Sequence, residues 1–126
     1  MKENIVKMVM DQASRYKSRE VFRYKQNNNK HYNSISWENL VIELQKVSRS
    51  LLSLGLEYGD NIGIMSDNRL EWMISDLGIV GIRGVVVPFY ATASKQLLKY
   101  IADETNMKVL FVGNREQYEK ALWLIE

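Results

Sequence analysis

A lone histidine, three spaced aspartates, three tryptophans and one hydroxyl-bearing turn are the residues of this 126-residue chain whose types could do chemistry. His31 is the single histidine. To act as a general base it needs a positioned nucleophile and a third group to orient it, so a surface strand position fits it better. Asp60, Asp67 and Asp76 carry carboxylates, but their spacing matches no calcium or magnesium loop. They read as a turn residue, a helix cap and a helix-surface charge. Trp37, Trp72 and Trp123 could build an aromatic cage, yet each stands beside leucines at helical spacing, the pattern of core aromatics. Tyr90, Thr92 and Ser94 follow an apolar strand, and ligands of open α/β sheets bind beyond the carboxyl ends of strands. They could line a substrate wall; a helix-capping loop is the plainer reading. Lys95, Lys99 and Lys108 form no single stripe with interleaved aromatics, so no nucleic-acid surface is expected. No residue is assigned a catalytic, cofactor-binding or metal-binding role.

Composition narrows the classes further. Apolar residues make up 46% of the chain, enough for a packed core in one domain. Seventeen basic and fifteen acidic residues leave a net charge of +2, too weak to argue for nucleic acid or an anionic membrane. There is no cysteine, which removes disulfides and thiolate chemistry and fits a reducing cytoplasm. No run approaches the ~20 apolar residues of a membrane span.

The elements that must position any site follow from periodicity. Asn4 caps a helix to about Tyr16. Val21–Lys25 and His31–Ile35 read as two strands of a hairpin around the polar turn 26–30. Ser36 caps a helix whose stripe is Trp37, Leu40, Val41, Leu44, Val47, Leu51 and Leu52, stopped at Gly55. Asn61–Ser66 is a short buried strand. Asp67 or Asn68 caps a helix from about Arg69 to Arg83, apolar on most of its circumference and so expected to be buried on several sides. Its Gly78 and Gly81 suggest close approach of a neighbouring backbone. Gly84–Phe89 reads as a central parallel strand, ending or losing its neighbour at Pro88. Ser94 caps Lys95–Glu104 with Leu97, Leu98 and Ile101 inward. Lys108–Val112 is a further strand, and 115–125 a last helix with Tyr118, Ala121, Leu122 and Ile125 on one face. The expected fold is α/β: a mostly parallel sheet flanked by helices, with an N-terminal β-hairpin.

Four stretches in this order carry a resemblance. They are Ser34-Ile35-Ser36-Trp37-Glu38-Asn39-Leu40, Leu51-Leu52-Ser53-Leu54-Gly55-Leu56-Glu57-Tyr58-Gly59-Asp60, Ile64-Met65-Ser66-Asp67-Asn68-Arg69-Leu70-Glu71-Trp72 and Gly84-Val85-Val86-Val87-Pro88-Phe89-Tyr90. Together they resemble the start of the acyl-adenylate-forming superfamily, and within it the long-chain fatty acyl-CoA synthetases. The resemblance covers about residues 5–124. One departure is Ala91-Thr92 where the family often has proline and threonine after the tyrosine.

The resemblance implies that residues 1–126 are the N-terminal part of a large AMP-binding domain, truncated before the phosphate-binding loop. That loop, rich in Ser, Thr and Gly and ending in Pro-Lys-Gly, is absent. The seven glycines include no adjacent or Gly-x-Gly pair that could cradle a phosphate. The complete enzyme would use ATP, magnesium and coenzyme A on a fatty acid; this chain is expected to be structural and inactive alone. Its partners would be the remainder of the parent enzyme and, through uncovered apolar surface, a second copy of itself. The compartment implied is cytoplasmic, with the full-length protein at most peripheral to a membrane. The rival reading is a free-standing α/β interaction module. A receiver domain fails for want of paired acids after the first strand, and a dinucleotide-binding domain for want of a glycine-rich turn.

Overall fold

The computed structural model describes residues 4–25 and 32–125. The polar turn 26–30 and His31 lie outside the described residues. Among the described residues the order is α1 (Ile5–Tyr16), β1 (Glu20–Tyr24), β2 (Asn33–Ser36), α2 (Trp37–Ser53), β3 (Asn61–Met65), α3 (Leu70–Gly81), β4 (Val85–Phe89), α4 (Lys95–Thr105), β5 (Val109–Val112) and α5 (Arg115–Leu122). Strands β1 and β2 form an antiparallel hairpin with an irregularity between Glu20 and Phe22. Strands β4, β3 and β5 form a parallel sheet in that order.

Local chemistry fixes the helix starts. Asn4 Oδ1 accepts from Lys7 N–H at 2.9 Å, Ser36 Oγ from Asn39 N–H at 3.2 Å and Ser94 Oγ from Leu97 N–H at 3.1 Å. Each satisfies an N–H that the helix itself leaves unpaired. Gly55 follows α2 at φ +88°, a conformation that glycine adopts without strain.

The sheet separates two apolar layers. Ile62, Ile64, Val86, Val109 and Phe111 face α2 and α3, packing with Leu51, Leu56 and Ile79. Met65, Val87, Phe89, Leu110 and Val112 face α4, packing with Ala93, Leu98 and Ile101. This alternation is the period-two pleat of a sheet buried on both faces. A third cluster, with Val6, Ile35, Leu40, Leu44 and Leu77, joins α1 and the hairpin to α2 and α3.

Several expectations are corrected. The central strand is β3, not β4: Ile62, Ile64 and Met65 are essentially fully buried, while Val85 and Pro88 of β4 are exposed. The connection after β4 returns across β3, so β4 is left at an edge, where a residue without an N–H is tolerated. Neither Asp67 nor Asn68 caps α3. The N-cap is Arg69, which makes no side-chain capping bond. Only Leu77, Gly78 and Ile79 of α3 are fully buried; the rest of its apolar surface is half-covered. Leu52 and Leu97 are exposed, because each sits at the margin of its helical stripe. Tyr118 and Ile125 are also exposed, because α5 overhangs the far side of β5, where no strand lies beneath it. Asp76 is half-buried rather than a surface charge, and burial raises its carboxyl pKa.

Candidate functional site

Parallel strands end together, so the turns leaving β3, β4 and β5 share one edge of the molecule. They are Ser66-Asp67-Asn68-Arg69, Tyr90-Ala91-Thr92-Ala93-Ser94 and Gly113-Asn114. The strand order makes this edge a switch point: the chain leaves β3 toward β4, then crosses back over β3 to reach β5. Right-handed crossovers put α3 and α4 on opposite faces, and the turns after β3 and β5 diverge. Between them lies a crevice of about 250 Å³, lined among others by Ser66, Arg69, Trp72, Ser75 and Gly113.

The floor of that crevice is closely tied. Gly113 N–H donates to the Met65 carbonyl at 3.0 Å and to Gln117 Oε1 at 2.7 Å. The Gly113 carbonyl accepts from Arg69 Nη1 at 3.0 Å. Gln117 is only 3% exposed, and its own N–H donates to Asn114 Oδ1 at 2.8 Å. Asn114 and Gln117 thus form a capping box in which the returning side chain reaches one residue past the cap.

The turn after β4 is held differently. Ala93 N–H donates to the Tyr90 carbonyl at 3.0 Å, and Lys120 Nζ donates to the Ala93 carbonyl at 3.2 Å. Tyr90 is 84% exposed and Thr92 is exposed as well, while Ser94 uses its hydroxyl on α4. Ser94 is therefore a cap, and Tyr90 and Thr92 stand free at the edge.

The other candidates are scattered. Asp60 lies at the opposite, amino end of the sheet. Its Oδ2 accepts from Glu57 N–H at 2.7 Å, and its Oδ1 is 3.0 Å from Lys108 Nζ. The backbone bond first, and the lysine second, hold its carboxyl below the ordinary value. Trp37 stacks obliquely near Tyr16, with ring centroids 6.2 Å apart. Trp72 packs against the α2–α3 side of the sheet, and Trp123 follows the end of α5. The three tryptophans contribute to separate environments. Lys99 pairs with Asp103 at 3.1 Å on α4, away from the Lys108–Asp60 contact. Among the described residues, no group of three or more acidic or histidine side chains could hold a metal. A larger cleft, about 760 Å³, runs between the hairpin and the β3 turn; Lys25, Arg69, Asp67 and Glu71 give it both signs of charge.

Sequence reasoning passed over Arg69 and Gln117. The signal for Gln117 was the Asn-x-x-Gln spacing from Asn114; nothing in the sequence tied Arg69 to a turn 44 residues away. The Arg69 guanidinium adds hydrogen-bond donors and a positive charge to this edge.

Comparison with known proteins fits this architecture. A family model described as AMP-binding enzyme matches residues 9–125. The long-chain-fatty-acid–CoA ligase ACSBG2 of Rattus norvegicus is 33% identical over 95 residues, 75% of this chain and 14% of that protein. Fatty acyl-CoA synthetase A of Dictyostelium discoideum is 35% identical over 79 residues, 63% of this chain and 12% of that protein. The chain thus spans about one seventh of the length of the curated relatives it matches. Among solved structures, an anthranilate CoA ligase, AuaEII, in complex with anthranoyl-AMP superposes with a TM-score of 0.86 at 18% identity, over 98% of this chain and 22% of that one. The inhibitor-bound N-terminal domain of FACL13 from Mycobacterium tuberculosis gives 0.81 at 17%, over 98% and 29%. The fold of this chain therefore recurs in larger proteins, and the chain belongs to the AMP-binding enzyme family.

Proposed function

We propose that residues 1–126 are the N-terminal part of the AMP-binding domain of an ATP-dependent long-chain fatty acyl-CoA ligase. The observation that carries this reading is the 33% identity to a long-chain-fatty-acid–CoA ligase within a family match over 9–125. In the complete enzyme a fatty carboxylate attacks the α-phosphorus of ATP, giving acyl-AMP and releasing pyrophosphate. The thiol of coenzyme A then takes the acyl group and AMP leaves. Magnesium accompanies ATP as part of the substrate.

In this reading the phosphates are held outside residues 1–126. Their turns lack a glycine-rich cradle, and no acidic cluster faces the carboxyl edge of the sheet. The role of this chain is to build one wall of the large domain, with its partner the rest of the polypeptide. The fatty acid is a ligand of the complete protein alone. The family's chemistry and the absence of cysteine favour the cytoplasm; no described helix is long and apolar enough to cross a membrane.

Calorimetric titration with magnesium-ATP, together with pyrophosphate exchange in the presence of palmitate, tests the division of labour. The chain alone is expected to show neither micromolar binding nor exchange above a blank. Either signal would overturn it. An inert chain that also remains inert when joined to the rest of its reading frame would favour the free-standing interaction module instead.

A further inference from the structure

We infer that Arg69 and Gln117 form a two-sided latch that fixes the turn after β5 against the turn after β3 and holds the switch-point crevice in one conformation. Pairing between β3 and β5 ends at Met65 and Val112. The last rung of the ladder runs from the Gly113 N–H to the Met65 carbonyl at 3.0 Å, and a terminal rung with no further pairing beyond it ordinarily frays toward solvent. Two side chains continue the restraint. Gln117, from the first turn of α5, accepts from the Gly113 N–H at 2.7 Å. Arg69, from the start of α3, donates to the Gly113 carbonyl at 3.0 Å. Helices from separate segments of the chain therefore grip the two ends of one residue.

The packing agrees with the hydrogen bonds. A β-carbon built on Gly113 would lie 2.9 Å from Ser66 Cβ and 3.0 Å from Gln117 Oε1, so only glycine lets the β5 turn close onto the β3 turn. Gln117 is the buried polar residue of the described core, and a buried amide held to a backbone N–H has one arrangement available. Arg69 is exposed and belongs to no ion pair among the described residues, so its ordered position is set by the Gly113 carbonyl. Arg69 makes no side-chain cap on α3, since a guanidinium carries only donors and cannot accept from the helix N–H groups.

Residue-resolved hydrogen exchange on the 126-residue chain tests the latch, comparing wild type with Arg69→Ala, Gln117→Met and the double variant. The Gly113 amide is expected to exchange roughly tenfold faster in each single variant, the order expected for losing one hydrogen bond to a locally opening segment. The Ile64 amide, in the middle of β3, keeps its wild-type rate. The double variant is expected to be little faster than the faster single variant, because either loss alone frees the turn. A Gly113 amide that keeps its wild-type rate in Arg69→Ala would overturn the latch. So would an equal acceleration of every amide in β3 and β5, which would mark a general loss of stability. Arg69 is exposed and its substitution leaves the core untouched, so this arm stands even where Gln117→Met fails to fold.

Discussion

Asp60 shows how one carboxylate can serve a fold without serving a reaction. It closes the turn 57–60 through the Glu57 N–H and reaches across to Lys108 at the start of β5, so it joins the amino ends of two strands. Both contacts favour the charged form and lower its folded pKa below the ordinary 3.8. A carboxylate lowered in the folded state adds stability above its unfolded pKa and loses it as pH falls through the folded value. Asp60→Asn is therefore expected to flatten the acid side of the stability profile. Near neutral pH the wild type melts higher; as pH falls through the lowered folded pKa of Asp60 the two melting temperatures converge. A constant gap from neutral to acid pH, measured by thermal melts, would show that the side chain acts by shape and not by charge. Glu20 and Arg23, paired on the exposed face of the hairpin, each favour the charged form, with Glu20 lowered and Arg23 raised, but they are bathed in water, where such pairs contribute little.

The seam between α2 and α3 is where element-scale packing is tightest. A β-carbon at Gly78 would lie 2.6 Å from Val47 Cβ and 3.2 Å from the Leu44 carbonyl, while Ser48 Oγ donates to the Gly78 carbonyl at 2.7 Å. Gly78→Ala gains helix propensity but overpacks the seam, so a net loss of roughly 1–2 kcal/mol is expected in denaturant melts. Gly81→Ala would put a β-carbon 2.6 Å from Ser48 Oγ, which must loosen its bond to the Gly78 carbonyl to make room, so the gain in helix propensity is offset and stability is expected to stay within about 1 kcal/mol of wild type. A stabilised Gly78→Ala would mean that the helices are spaced wider than they are here. Trp72 is half-buried, so Trp72→Ala is expected to cost about 2–3 kcal/mol, less than a fully buried aromatic. Glu38→Ala, at an exposed position, stays within about 0.5 kcal/mol. The helix caps at Asn4, Ser36 and Ser94 and the close approach at Gly78 were legible in sequence, because each depends on neighbours a few residues away or on one costly residue type. The order of the strands was not. An apolar run such as Gly84–Phe89 states that a strand is buried, and leaves open which strand lies between which. The shared face of Tyr118, Leu122 and Ile125 was legible from helical spacing, but what lies under it is decided by the sheet, and all three are exposed. The candidate site was legible only in its general position beyond the strand ends; the contact of Arg69 with Gly113 is made by folding and leaves no local trace.

At the scale of the whole molecule, apolar cover is uneven. Helix α3 and strand β4 are covered in part, by α1, α2 and the hairpin on one side and by α4 on the other. The open surface lies beyond β5, in a groove of about 500 Å³ lined by Met107, Val109, Leu110, Tyr118, Leu122 and Ile125. Apolar grooves beside a free strand edge mark association sites. The isolated chain is therefore expected to self-associate, with a symmetric pair as the simplest closed form. Size exclusion coupled to light scattering should give a mass above 14.7 kDa that falls on dilution. A monomer at high concentration that binds no apolar dye would sink the expectation.

Pro88 gives the two borders of the sheet unequal fates. Val85 N–H donates inward to the Asp60 carbonyl, so by alternation the nitrogens of Val87 and Phe89 also turn toward β3, and those of Val86 and Pro88 turn outward. The outer border of β4 thus presents a single amide donor where two would be needed to seat an incoming segment. A growing fibril or a misdirected strand finds no complete template there. The border of β5 carries no such interruption. Any lengthening of this sheet, whether by native chain or by pathological stacking, is one-way.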